Sequence, residues 1–214
     1  MPNEILIYDP IGPAWAGMID DKMFMEELNS FGGQDVTIRV NSPGGDVFMA
    51  NAMYNAIDRY TGRVTVSIDA LAASALSYLI LAADEVVAAK NAMIMVHKPE
   101  TLAWGNATSL RKTADVLDKA ESTLLGMYTD KTGKTSEEVA AVLEAETWFT
   151  AQEALDWGLV DRIGKVSDVT ARVPDGMFNK TPVNLLIKPK TLSAKRRDVD
   201  LAKANAARLM AKIS

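Results

Sequence analysis

Val64-Thr65-Val66-Ser67-Ile68-Asp69-Ala70-Leu71-Ala72-Ala73-Ser74-Ala75-Leu76-Ser77-Tyr78-Leu79 is the stretch on which the fold turns. Residues 64–68 are rich in β-branched side chains and read as a strand. Asp69-Ala70-Leu71 reads as a short connection, and the Ala-rich run 73–83 as a helix. The apolar run 71–83 spans 13 residues and carries two serines. A membrane helix needs about 20 apolar residues, so this run is expected to be a buried helix. Moving outward, residues 36–40 form a second β-branched strand, and a helix runs from an Asp46 cap to about Tyr60. Residues 4–8, 86–89 and 93–97 are strand-like, and residues 20–29 have helical spacing stopped by Gly32-Gly33. This alternation predicts parallel β-α-β units, an α/β fold with helices covering a central sheet.

The second half is more helical. Residues 106–131 form one long amphipathic helix with Leu110, Ala114, Leu117, Ala120 and Leu124 along one side, ended by Gly133. Thr135 or Ser136 starts another. Residues 148–150 are a short extended link into a helix over 151–157, which Gly158 closes. From Pro174 the chain turns Pro- and Lys-rich, and a terminal helix is expected from about Val199 to Ile213, with Ala202, Ala206, Leu209 and Ile213 on one face.

At 214 residues, 48% hydrophobic and 24% charged, the chain has enough apolar material for one sizeable core. It contains no cysteine, which removes disulfides, thiolate nucleophiles and thiolate metal ligands. A reducing cytoplasm is the expected location. Met1-Pro2-Asn3-Glu4 is not followed by a long apolar core, so no secretory signal is expected. Charge divides the chain. Residues 1–171 hold 13 Lys and Arg against 25 Asp and Glu, while residues 172–214 hold 10 against 3. An acidic body with a basic tail points the tail toward an acidic surface: its own body, a partner or nucleic acid. A solvated, partly disordered tail is the alternative.

The chemistry centres on the one histidine, His97, in Met93-Ile94-Met95-Val96-His97-Lys98-Pro99. A serine is a poor nucleophile until a neighbouring base takes its proton, and only His97 can supply an imidazole. Ser74 occupies a strand-turn-helix position, the placement that holds a nucleophile above a sheet. The flanking alanines leave room for a substrate, and the Ala75 N–H would face the same point as an oxyanion donor. An N-capping serine is the alternative. Ser77 shares the helical face one turn deeper and is a rival nucleophile. Asn41-Ser42-Pro43-Gly44-Gly45 joins a strand to a helix, where backbone N–H groups can face an oxyanion, although such a stretch also serves as a simple turn. No Gly-Lys-Ser/Thr follows, which excludes a nucleotide P-loop. An orienting carboxylate for the base could come from Glu144 or Glu146, and spacing does not choose between them.

Together these motifs resemble the Clp-type serine peptidases. The resemblance rests on Asn41-Ser42-Pro43-Gly44-Gly45, Ala72-Ala73-Ser74, Met95-Val96-His97-Lys98-Pro99, Phe149-Thr150-Ala151-Gln152-Glu153-Ala154 and Gly158-Leu159-Val160-Asp161. It runs from about residue 4 to 163. Asp46-Val47-Phe48, residues 68–74, Ala103-Trp104-Gly105-Asn106 and Ala145-Glu146-Thr147-Trp148 are most similar to the phage and prophage branch, the Clp-like head maturation proteases. The resemblance implies a Clp/crotonase-type spiral of β-α units with a long handle helix, which is the helix over 106–131. It also implies peptide-bond hydrolysis in capsid assembly, with Ser74 as nucleophile and His97 as base. The N–H groups of Gly44 and Ala75 would form the oxyanion hole, and Glu146 stands where the ATP-dependent members have aspartate. No cofactor and no metal are implied. Residues 1–171 are the expected peptidase domain and 172–214 the basic tail. Expected partners are a capsid or scaffold protein, the chain's own tail as a substrate, and further copies in stacked rings. No membrane is involved, and nucleic acid enters only through the tail. Two other readings remain: an inactive ring or scaffold-associated assembly module, and an acyl-CoA enzyme of the crotonase type.

Overall fold

Among the described residues, a sheet of seven strands is organised around β3 (Val64–Ala73). The computed structural model describes residues 3–165, 173, 176–182 and 184–185. On one side of β3 lie β2 (Val36–Ser42) and then β1 (Glu4–Ile7), all parallel, with Ile5 opposite Ile38 and Val40 opposite Ile68. On its other side β3 has two parallel neighbours in succession. Residues 65–68 pair with β4 (Glu85–Ala88), and residues 71–73 pair with β5 (Met93–Val96). β6 (Thr147–Thr150) runs antiparallel to β5, and β7 (Arg162–Ile163) extends the sheet from β4.

The connection expected at Asp69-Ala70-Leu71 is instead the second half of β3. Residues 70–73 are at most 2% exposed, and buried backbone N–H and C=O groups require partners. β5 supplies them. A short apolar run cannot be assigned to strand or helix by periodicity alone. The helix therefore starts only at Ala75, as α3 (Ala75–Leu79), and finishes in a 3-10 turn over Ile80–Ala82.

Alternation along the strands sets the core. Ile5, Ile7, Ile38, Val40, Val66 and Ile68 are buried in one cluster with Phe24 and Leu28 of α1 (Asp21–Ser30) and Ala50, Met53 and Ile57 of α2 (Val47–Asp58). Asp46 caps α2 as expected, accepting from the N–H groups of Phe48 and Met49 at 2.9 Å each. On the opposite face of β3 the carboxylate of Asp69 is buried; it accepts from Arg39 Nε at 2.7 Å and from the Tyr8 hydroxyl. Burial, reinforced by Asp69, pushes the Tyr8 hydroxyl up to about 12.

The long helix is α4 (Ala107–Thr132), capped by Asn106 and ended by Gly133 at φ 66°. Of the expected apolar stripe, only Leu124 is buried; Leu110 and Ala114 are exposed, and Leu117 and Ala120 are half-buried. Its first turns stand off the body and its last turns dock. Capping boxes start α5 (Ser136–Glu144) from Thr135 and α6 (Ala151–Trp157) from Thr150. No helix among the described residues is long and apolar enough to cross a membrane. The terminal helix expected over 199–213 lies outside the described residues.

Candidate active site

Strand register explains why residues 23 positions apart meet. Leu71, Ala72 and Ala73 pair with Met93, Ile94 and Met95, and the Ser74 N–H donates to Met95 O at 2.9 Å. The next residue on each strand therefore brings Ser74 beside the end of β5, one residue from His97. His97 Nε2 lies 2.7 Å from Ser74 Oγ. Ser74 leaves β3 at φ 54°, ψ −123°, a conformation that costs a non-glycine residue about 1–3 kcal/mol. It stands at the N-cap position of α3, yet its side chain makes no capping bond there; its hydroxyl goes to the imidazole. Ser77, the rival, is wholly buried, donates to Ser74 O at 2.5 Å and contacts the Tyr128 hydroxyl at 2.6 Å.

The glycine loop crosses the same point. Gly44 has φ 87°, and a Cβ there would lie 2.4 Å from Ala73 O, 2.8 Å from Ala75 N and 3.0 Å from Ser74 Cβ. Only glycine lets the two backbones approach this closely. The Gly44 N–H donates to Ser42 Oγ over a long 3.2 Å, and the Ser42 hydroxyl donates to Asp9 O at 2.8 Å. Ala75 begins α3, where helix amides lack an intrahelical acceptor.

Register also separates the two glutamates. β5 and β6 pair Met95 with Trp148 and Val96 with Thr147, so Glu146 falls opposite His97. Glu146 is 8% exposed and has φ 48°. Its carboxylate accepts from the N–H groups of Asn179 at 2.8 Å and Lys180 at 2.5 Å, and from Trp148 Nε1 at 3.5 Å. Among the described residues no hydrogen bond joins Glu146 to His97. Glu144 points elsewhere: it pairs with Lys98 Nζ at 2.6 Å, and its side chain is 71% exposed.

Burial pushes the His97 imidazole below its ordinary value, against the pull of the Glu100 and Glu146 charges. The ring is thus neutral at pH 7, as a base must be. Burial tends to raise the Glu146 carboxyl, but the Lys180 and Asn179 amides, with Trp148 and His97, hold it below the usual carboxylate range. A groove of about 280 Å³ is lined by Gly45–Phe48 after the glycine loop, Pro99–Thr101 after His97, and Thr113, Val116, Leu117 and Ala120 of α4.

Sequence reasoning missed Phe178, Asn179 and Lys180. They sit in the tail, and the Met177-Phe178 pair within a Pro- and Lys-rich stretch was the available signal. Val173 and Leu185 are buried with Ala70, Leu71, Ala73 and Met95. Val173, Met177, Phe178 and Leu185 of the tail thus share a cluster with residues of β3 and β5.

The profile of the Clp protease family matches residues 2–167. ATP-dependent Clp protease proteolytic subunit 1 of Protochlamydia amoebophila is 34% identical over 165 residues, covering 75% of this chain and 80% of its own length. The subunit 1 of Chlamydia abortus is 32% identical over 165 residues, covering 75% and 85%. The proteolytic subunit of Bacteroides fragilis is 30% identical over 133 residues, covering 61% and 64%. With its Ser–His pair beside a glycine loop at the end of a parallel sheet, this chain belongs to the Clp protease family.

Proposed function

We propose that this serine-type peptidase cleaves peptide bonds through Ser74, with His97 as base and Glu146 as the acidic member. The observation that carries the reading is the 2.7 Å contact between Ser74 Oγ and His97 Nε2, made in a strained conformation with no capping role. His97 Nε2 takes the hydroxyl proton as Oγ attacks the substrate carbonyl carbon. The resulting oxyanion accepts from the N–H groups of Ala75 and Gly44, the latter exchanging its long bond to Ser42 for the substrate oxygen. His97 then returns the proton to the leaving amine, and water repeats the sequence on the acyl-enzyme. The groove between α2 and α4 is the substrate's place. A fluorophosphonate probe should label Ser74 stoichiometrically, and Ser74→Ala should be silent. Labelling that survives Ser74→Ala defeats the assignment and moves the nucleophile to Ser77 or another serine; none in the wild type defeats the proposal and favours the inactive assembly module.

The finer reading is processing of a phage capsid or scaffold protein in the host cytoplasm. Its support is the set of branch-specific motifs around Asp46, Asp69, Trp104 and Trp148, together with an acidic body carrying a basic tail. Specific cleavage of a capsid precursor without ATP is the expected outcome; cleavage that appears only with an ATPase present would align the chain with the function named for its curated relatives. Assembly into rings is part of the same proposal. Leu110 in the first turns of α4 is 42% exposed, and Leu102 and Trp104 just before the helix 93% and 90%, a surface suited to another copy. Light scattering should report a multimer.

A further inference from the structure

The tail places a short segment, Gly176-Met177-Phe178-Asn179-Lys180-Thr181-Pro182, against His97 and Glu146. The Phe178 ring meets His97 edge-on, with centroids 5.5 Å apart at 66°, and meets Trp148 at 5.9 Å and 70°. Met177 and Phe178 pack on the cluster of Ala70, Leu71, Ala73 and Met95. The next two residues turn their backbone N–H groups onto Glu146, one to each oxygen. The Lys180 ammonium donates to Ala145 O, the carbonyl immediately before Glu146. Thr181 Oγ1 donates back to Phe178 O at 3.3 Å, closing the turn.

None of the described residues of this segment lines the groove between α2 and α4. The segment's ring contacts are with His97 and Trp148, and its hydrogen bonds reach Ala145 and Glu146. The 2.7 Å Ser74–His97 contact exists with the segment in place.

We infer that residues 176–182 are a positioning element of the catalytic site, in which Phe178 braces the His97 ring and the Asn179 and Lys180 amides fix Glu146. This rests on the Ser74–His97 reading and extends it to a part of the chain beyond the matched family region. Phe178 excludes water from one face of the imidazole. The two amides keep Glu146 ionised and fixed, so its charge faces the imidazolium that forms when His97 takes the serine proton, without reorganisation. The other groups around the ring are few. Ser74 comes from β3, Glu100 follows β5, and Glu146 stands at the start of β6. Lys98 is held by Glu121 at 3.2 Å and Glu144 at 2.6 Å, and Lys180 is turned to Ala145.

Because the chain has one histidine, its ring C–H signals in proton NMR are unambiguous. In full-length Phe178→Ala, the His97 titration midpoint should rise by roughly half a unit or more as water reaches the ring. For a peptide substrate, kcat should fall about 10-fold while KM changes less than about 3-fold, the pattern of lost transition-state positioning. Phe178→Leu should restore most of both. A second measurement leaves Phe178 intact: wild-type amides of Asn179 and Lys180 should exchange slowly, and Glu146→Ala should speed them at least about 10-fold. An unchanged His97 midpoint in folded Phe178→Ala, a more active variant, or fast wild-type exchange at both amides would overturn the inference. Failure of Ser74 to label would instead remove the peptidase reading, while titration and exchange would still report whether the segment braces His97.

Discussion

The two arms of the site are built in different ways. Ser74 and His97 stand at the ends of adjacent parallel strands, and their meeting follows from a register fixed by wholly buried residues on both sides. Glu146 also owes its position to register, but its carboxylate is held by a segment more than thirty residues downstream. One arm is part of the core, and the other is a contact between the core and the tail. Disturbing the first arm should abolish the chemistry, whereas disturbing the second should attenuate and retune it.

Four changes break or sharpen that contrast. Ser74→Gly should have the largest effect, lowering kcat by about 10⁴-fold or more because nucleophile and base act as one unit. The same change should stabilise the fold by about 1 kcal/mol, since glycine accepts φ 54° without strain; a thermal melt checks this. Unchanged or lower stability would show that Ser74 is not strained. Gly44→Ala comes next. Its Cβ would sit 2.4 Å from Ala73 O, so displacement of the loop should cost about 2 kcal/mol in a denaturant titration and about 100-fold in kcat.

Glu146→Gln tests the second arm. Without a direct bond to His97, the loss in kcat should be about 10- to 100-fold, well short of that for an acid bonded to its histidine. The acidic limb of the kcat/KM profile should move with it. As the proposed base, His97 must be neutral, so activity is expected to fall as pH drops through its pKa, which burial holds below the ordinary 6.5. Removing the Glu146 charge lowers that pKa further and shifts the limb to lower pH; a shift to higher pH would contradict the assigned electrostatics. Glu144→Ala should have the smallest effect, under about 2-fold in activity and within about 0.5 kcal/mol in stability, because its exposed pair with Lys98 is surface chemistry. A large loss there would exchange the roles of the two glutamates.

Much of this architecture was legible before any coordinates. The helix caps at Asp46 and Thr135 and the stops at Gly133 and Gly158 follow from local chemistry, which sequence records directly. The extent of β3 was not legible. Ala70-Leu71-Ala72-Ala73 has helical propensity, and only pairing with β5 makes it strand. The apolar stripe on α4 was legible as one side of the helix, but its burial was not: Leu110 and Ala114 are exposed, Leu117 and Ala120 half-buried, and Leu124 buried. Glu144 and Glu146 were equivalent in sequence, two residues apart on one segment. Antiparallel register with β5 sets Glu146 opposite His97, and Glu144 goes to Lys98.

From its residues alone this chain specified a β-α repeat, one available imidazole, a serine at a strand-to-helix turn and a glycine loop upstream of both. These are local matters of backbone sterics, capping and side-chain chemistry, and each is written within a few consecutive positions. Tertiary structure alone decided which strand β3 pairs with along its second half, which glutamate falls opposite the histidine, and that Phe178 meets His97 while the amides after it bind Glu146. Those outcomes depend on contacts between residues tens of positions apart, where burial and register select the partner and no local pattern names it.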